Sequence, residues 1–211
     1  SRPASGYDFD TLAADLDRLL TALDLHDAAL VGFAMGAGEC ARYLGTYGSA
    51  RVRKVAFLAP LPPFLLQTPD NPGGVEPGVI DGIRSALARD RHAFASAFLA
   101  DAYNLDLLGG GRVSEDVVRA AWGAAASASA RALAACVEAW RTDFRPDLHR
   151  ITVPSLVLQG DDDRVHPIAS TALPLHRALR DSRLVVLEGA PHGLLWTHAA
   201  EVNAELADFL A

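Results

Sequence analysis

Cysteine is scarce in this 211-residue chain, which has Cys40 and Cys136 and no C-x-x-C spacing. Two such residues build neither a disulfide framework nor a structural zinc site, and they fit a reducing, cytoplasmic setting. Basic tracts are missing as well. Nineteen Lys and Arg stand against 26 Asp and Glu, for a formal net charge of −7. A phosphate backbone is bound through cationic neutralisation, so no nucleic-acid partner is expected. No apolar run reaches the ~18–20 residues that cross a bilayer, which argues against a membrane partner. No H-x-x-H or H-E-x-x-H spacing surrounds the histidines, and no metal is expected. The sequence opens Ser-Arg-Pro, with neither methionine nor a secretory signal, and reads as a piece of a longer protein. Half of the residues are hydrophobic, enough for one sizeable core in one domain, with room for an inserted subdomain.

Apolar residues at Phe9, Leu12, Leu16, Leu19, Leu20 and Leu23 carry helical spacing over Phe9 to Leu25, with Asp8 or Asp10 available as a cap. Four short apolar runs then read as buried strands: "AALVGFA" from Ala28, "KVAFLAP" (Lys54 to Pro60), "SLVLQGD" (Ser155 to Asp161) and "LVVLEGA" (Leu184 to Ala190). Helices are expected over Gly36 to Tyr47, Ala169 to Leu179 and Ala199 to Leu210. Apolar strands alternating with helices predict an α/β fold, a mostly parallel sheet covered on both faces. The stretch 61–150 is too long for a plain crossover. It starts rich in Pro and Gly and turns rich in Ala, and it predicts a helical lid insertion, a packed helix pair anchored by Trp122, Leu133, Val137 and Trp140. The division expected is therefore 1–60 with 151–211 as core, and 61–150 as lid.

Chemistry enters at "LVGFAMGAGE". Gly32-Phe33-Ala34-Met35-Gly36 has the frame of a nucleophile elbow, G-x-S-x-G, with alanine in the middle. In such a turn, glycines at either side avoid clashes, and the N–H of the following residue, here Met35, faces a developing oxyanion. By itself G-x-A-x-G is weak evidence. Two later segments strengthen it: "GDDDRVHP" follows the third strand, and "GAPHG" follows the fourth. Elbow, acid and histidine come in the chain order of a serine hydrolase, each at a strand's C-terminal end. His192 would accept the nucleophile's proton, and a carboxylate would fix its tautomer.

The segments "GYDFDTLAADL", "LVGFAMGAGECARY", "NPGG", "YNLD", "TDFRPDL" and "EGAPHGLLWTHAAEVN" resemble the cofactor-free haloperoxidases and aryl esterases of the α/β-hydrolase fold, the bacterial non-haem bromoperoxidase and chloroperoxidase group. The resemblance covers nearly the whole chain. It implies the α/β-hydrolase fold, with the nucleophile position at Ala34, the acid at Asp163, ahead of Arg164, and the base at His192. It also implies hydrolysis and perhydrolysis of small acyl esters or carboxylic acids, with peracids oxidising halide. The family sheet is eight-stranded, so this chain is expected to supply only the C-terminal half. The remaining strands, and a second oxyanion donor, would come from a second chain or from a segment outside these 211 residues, and a homo-oligomer is expected.

Ala34 fits a single Ser→Ala replacement in an undisturbed frame, whether natural or engineered, and implies near-inactivity. The rival is a natural non-catalytic fold serving as a ligand receptor or assembly partner. Phe33 and Trp196 are candidate pocket residues beside the elbow and His192, each more readily explained as a packing aromatic. Cys40, six residues beyond Ala34, is expected in the core. Asp161 and Asp162 are expected to cap their loop, and His166 to be a loop residue without a role.

Overall fold

The computed structural model describes residues 3–211. The chain order begins α1 (Phe9–Ala22), β1 (Ala28–Phe33), α2 (Met35–Tyr47) and β2 (Val52–Leu58). Six helices follow before the next strand: α3 (Pro77–Arg89), α4 (Arg91–Ala102), α5 (Leu105–Leu108), α6 (Glu115–Ser127), α7 (Ala130–Ala139) and α8 (Arg145–Leu148). Then come β3 (Ser155–Gly160), α9 (Ala172–Ala178), β4 (Ser182–Leu187), α10 (Leu194–Thr197) and α11 (Ala199–Leu210).

Helix α1 begins where the Asp8 carboxylate accepts the Thr11 N–H at 2.8 Å, one of the orphan donors of a first turn. It stops at Ala22, short of the expected Leu25, and leaves Leu23 and Leu25 exposed. The four strands form one parallel sheet in the order β1-β2-β3-β4, with Gly32 opposite Phe57, Phe57 opposite Val157 and Val157 opposite Leu184. Alternation along β2 assigns its faces. Val55 and Phe57 point into a core built with α1, α2 and α9, while Ala56 and Leu58 face a second cluster that includes Val202 of α11. Helices thus cover both faces, the arrangement that parallel strands need.

Burial on both faces holds for β3, every residue of which is buried, and for most of β2. It fails for the outer strands. Val31 of β1 and Val186 of β4 are large apolar side chains left exposed, because a strand at the sheet's margin has a neighbour on one side only. Among the described residues β1 pairs with β2 alone.

The inserted helices pack as two pairs rather than the one expected, α3 against α7 and α4 against α6. Their anchors divide accordingly. Val137 and Trp140 join the main core, whereas Trp122 packs with Leu99, Tyr103 and Val113 in a separate cluster. Among the described residues no helix is long and apolar enough to cross a membrane, and no group of three or more His, Cys, Asp or Glu side chains is placed to hold a metal ion.

Candidate active site

Strand β1 ends at Phe33 and α2 starts at Met35, leaving Ala34 alone to reverse the chain. It does so at φ 51° and ψ −113°, a conformation that L residues rarely adopt. Its backbone is held from both sides. The N–H donates to Leu58 O at 2.9 Å, and the carbonyl accepts from Ala37 N at 3.1 Å and Leu61 N at 3.3 Å. Gly32 is obligatory, since a Cβ there would run into the backbone of Gly36 and Ala37. Gly36 is not: a Cβ at that position meets nothing within 4 Å, so the second glycine of the frame is not demanded by space here. Met35 opens α2, where N–H groups of the first turn lack helical partners.

The candidate acid and base, Asp163 and His192, come from the loops after β3 and β4. His192 Nδ1 lies 2.9 Å from Asp163 Oδ2, with the carboxylate fully buried and the imidazole 7% exposed. The Nδ1 proton is donated to the carboxylate, which leaves a lone pair on Nε2, the tautomer a general base requires. Asp163 is over-determined. Its Oδ1 accepts from Val165 N at 2.9 Å and His166 N at 2.7 Å, and its Oδ2 also accepts from the Gln159 amide at 3.0 Å. Burial acts to raise the Asp163 pKa, but hydrogen bonding and charge attraction from His192, with help from His166, hold it below the ordinary carboxylate value.

Behind this pair lies a network that spacing alone did not reveal. Gln159, buried at the end of an otherwise apolar strand, also donates to the His166 carbonyl and accepts from Thr171 Oγ1 at 3.0 Å. His166 sits in a loop as expected, yet it is 1% exposed and its ring meets His192 edge-on at 4.7 Å. The ring is positioned by its Nδ1 at 3.2 Å from the Ala59 carbonyl, while Nε2 has no partner. Burial, together with the neighbouring His192, drives its pKa down to about 3, so it is neutral at pH 7. A glutamine inside an apolar strand was the one available signal, because a buried amide must be paired.

Asp161 and Asp162 organise the loops. Asp161 Oδ1 accepts from Gly189 N at 2.7 Å, and Asp162 Oδ2 from the Asn104 amide at 2.7 Å. Asn104, buried and at φ 47°, ties the turn between α4 and α5 to the acid loop. Arg164 adds a paired contact to Asp106 at 2.8 and 3.2 Å. Gly193 N donates to Ala102 O at 2.6 Å, and a Cβ at Gly193 would strike the Tyr103 ring. The segment from α4 to α5 is therefore fastened to the loops that carry Asp163 and His192.

Phe33, Ala34, Met35, His166 and His192 line one cavity of about 340 Å³, roofed by Phe98, Tyr103 and Trp140 from the inserted helices. Phe33 packs against the His192 ring at 5.1 Å between centroids. Trp196 does not belong to this wall: it is 62% exposed, because α10 turns its side chain away from the cavity. Cys40 lies in the core as expected, and burial pushes its thiol up to about 12, leaving it inert as a nucleophile.

A tight elbow, a buried acid and a histidine, in that chain order and each at the C-terminal end of a strand of a parallel sheet, define the α/β-hydrolase class. The α/β-hydrolase fold model matches residues 1–199, and the chain belongs to that family. Its relatives within the family are non-heme haloperoxidases and esterases. A Synechocystis sp. protein named provisionally as a non-heme chloroperoxidase is 52% identical over 210 residues, covering 100% of this chain and 76% of the relative. The bifunctional esterase/perhydrolase DCH of Acinetobacter calcoaceticus is 31% identical over 206 residues, 97% of this chain and 75% of the relative. Among solved structures, a bromoperoxidase from Bacillus anthracis superposes with a TM-score of 0.95 at 38% identity, covering 100% of this chain and 76% of that one.

Proposed function

We propose that the chain carries the site of a cofactor-free esterase and perhydrolase in which Ala34 occupies the nucleophile position, so that acyl ligands bind and are scarcely turned over. The observation that carries this reading is the pairing of a strained elbow at Ala34 with an imidazole that Asp163 holds at 2.9 Å in the base tautomer, both on one cavity. With a hydroxyl at position 34, His192 Nε2 takes its proton while the oxygen attacks the acyl carbon. The C–O bond to the alcohol breaks, and the alcohol leaves with the proton that His192 returns. Water then releases the acid, or hydrogen peroxide releases the peracid, which oxidises halide. The Met35 N–H serves as an oxyanion donor, and Phe33 holds the imidazole ring against the cavity.

The helices between β2 and β3 act as the lid that shapes the pocket. The open edge of β1, with Val31 exposed, is covered by further strands, from another segment or a second chain. Small acyl esters and carboxylic acids are the partners of the cavity.

Ala34→Ser tests the assignment. Loss of such a nucleophile costs ~10⁶ in turnover in a well-studied serine protease, so the replacement should raise p-nitrophenyl acetate hydrolysis by about 10⁴-fold or more, with a burst of nitrophenol. No gain favours the second reading, a carboxylate or ester receptor, for which alanine at the elbow is itself the supporting observation.

A further inference from the structure

The catalytic cavity has a neighbour. A second cavity of about 340 Å³ lies among α3, α4, α6 and α7, and Met35, Phe98, Leu99 and Trp140 line both. Its other walls are apolar, with Phe94, Leu133 and Val137 prominent among them. The single cationic side chain in the lining is Arg91, whose guanidinium donates to Ala128 O at 2.9 Å. Cys136 supplies the one thiol. Closely packed helices retain few voids larger than a water molecule. A void without free polar partners does not hold water well and rewards hydrocarbon.

We infer that this second cavity is a tail site for a long unbranched acyl chain, whose carboxyl end lies between Ala34 and His192 while its methylenes pass the Met35–Phe98–Leu99–Trp140 neck. The inference rests on the proposed reading of Ala34 and His192 as the reacting end, and it replaces small acyl groups by medium-chain esters and acids as the substrate class. The two cavities adjoin across four shared side chains, so a chain that starts at the elbow has its nearest further apolar space just beyond them. Apart from Arg91, held to Ala128 O, and the unpaired Trp140 Nε1 on the shared wall, the lining is apolar or weakly polar and rewards hydrocarbon over a hydroxylated or charged tail.

The test has two parts, and the first needs no catalysis. On the protein with Ala34, affinity for acetate, butanoate, hexanoate and octanoate is followed by calorimetry and, in a Trp122→Phe/Trp196→Phe background, by the fluorescence of Trp140 at the neck. Burial of one methylene should tighten binding about fourfold until the cavity is full. A flat series overturns the tail site. In the second part, Ala34→Ser is assayed on p-nitrophenyl acetate and octanoate. The octanoate-to-acetate ratio of kcat/KM should fall at least tenfold when Cys136→Phe, or Ala125→Leu as an independent filling, is added. An unmoved ratio in both overturns the site. Turnover of acetate with a flat affinity series sinks the tail site and keeps the proposed function. A climbing series with no turnover of either ester keeps the tail site and sinks the proposed function.

Discussion

The two halves of the site are built on opposite terms. The acid–base half is a closed polar network. Asp163 receives four hydrogen bonds, from Val165, His166, Gln159 and His192, and the loops around it are tied by Asp161 and Asp162. The elbow half is held against its own preference. Ala34 occupies a positive-φ turn with no side-chain interaction to offset it. Backbone of this kind costs about 1–3 kcal/mol and persists where surrounding structure over-determines it. Positive φ at Ala59, whose carbonyl holds His166, and at Asn104 adds to the same neighbourhood. The difference teaches that the Asp163–His192 network is accounted for by its own hydrogen bonds, whereas the strained elbow is accounted for by the nucleophile position proposed for it.

That contrast can be broken most severely at Asp163. Asp163→Ala removes the acceptor for two buried backbone N–H groups and for Gln159, and should cost about 3–5 kcal/mol in urea unfolding. A cost below 1 kcal/mol would mean that the network is slack. Gly193→Ala probes how firmly the inserted helices grip the histidine loop. Its Cβ meets the Tyr103 ring, and overpacking of this sort costs about 1–3 kcal/mol. Unchanged stability would show the α4 contact to be loose.

Acid should act on the network and spare the elbow. His166 has an ordinary pKa of 6.5, lowered to about 3 in the native protein. Between those values the unfolded chain binds a proton that the native chain refuses, so stability rises with pH across that window and is lost as pH falls below 6.5. Asp163, lowered from 3.8, adds a loss only near and below that value. Urea midpoints from pH 7 to 4.5 should decline in the parent and flatten in His166→Val, and equal slopes would refute the assignment. The smallest effect is at the elbow. Ala34→Gly relieves the positive φ but frees the unfolded chain, so a net gain of about 1 kcal/mol is expected. A loss would show that the turn is not strained for alanine.

Much of this was legible in the residues. The Asp8 cap, the apolar runs of β2 and β3 and the C-terminal helix fall where periodicity puts them, because each is governed by local spacing. Position after a strand pointed to His192 and to a run of three aspartates, and the family resemblance singled out Asp163, the one that lies 2.9 Å from His192. His166 and Asn104 were not legible, since the hydrogen-bond partners of their side chains lie on loops 50 or more residues away that meet only in the fold, as Asn104 and Asp162 do. Nor was Gln159, since its nearby partners Asp163 and Thr171 turn toward it only once the loop after β3 is folded. Trp196 shows the converse error. Four residues from His192 in sequence, it faces outward because α10 is a single short turn whose buried side chains are Leu194 and Thr197. Gly36 fits the frame by composition, and space does not require it.

The central claim is that position 34 aims an oxygen at a site already prepared for it. Intact-mass analysis of Ala34→Ser after a fluorophosphonate probe tests this most directly, with Ala34 protein and Ala34→Ser/His192→Ala as controls. The account predicts one stoichiometric adduct, mapped to position 34, that forms only when His192 is present. A folded Ala34→Ser protein that stays unlabelled, or labels equally well without His192, would contradict it.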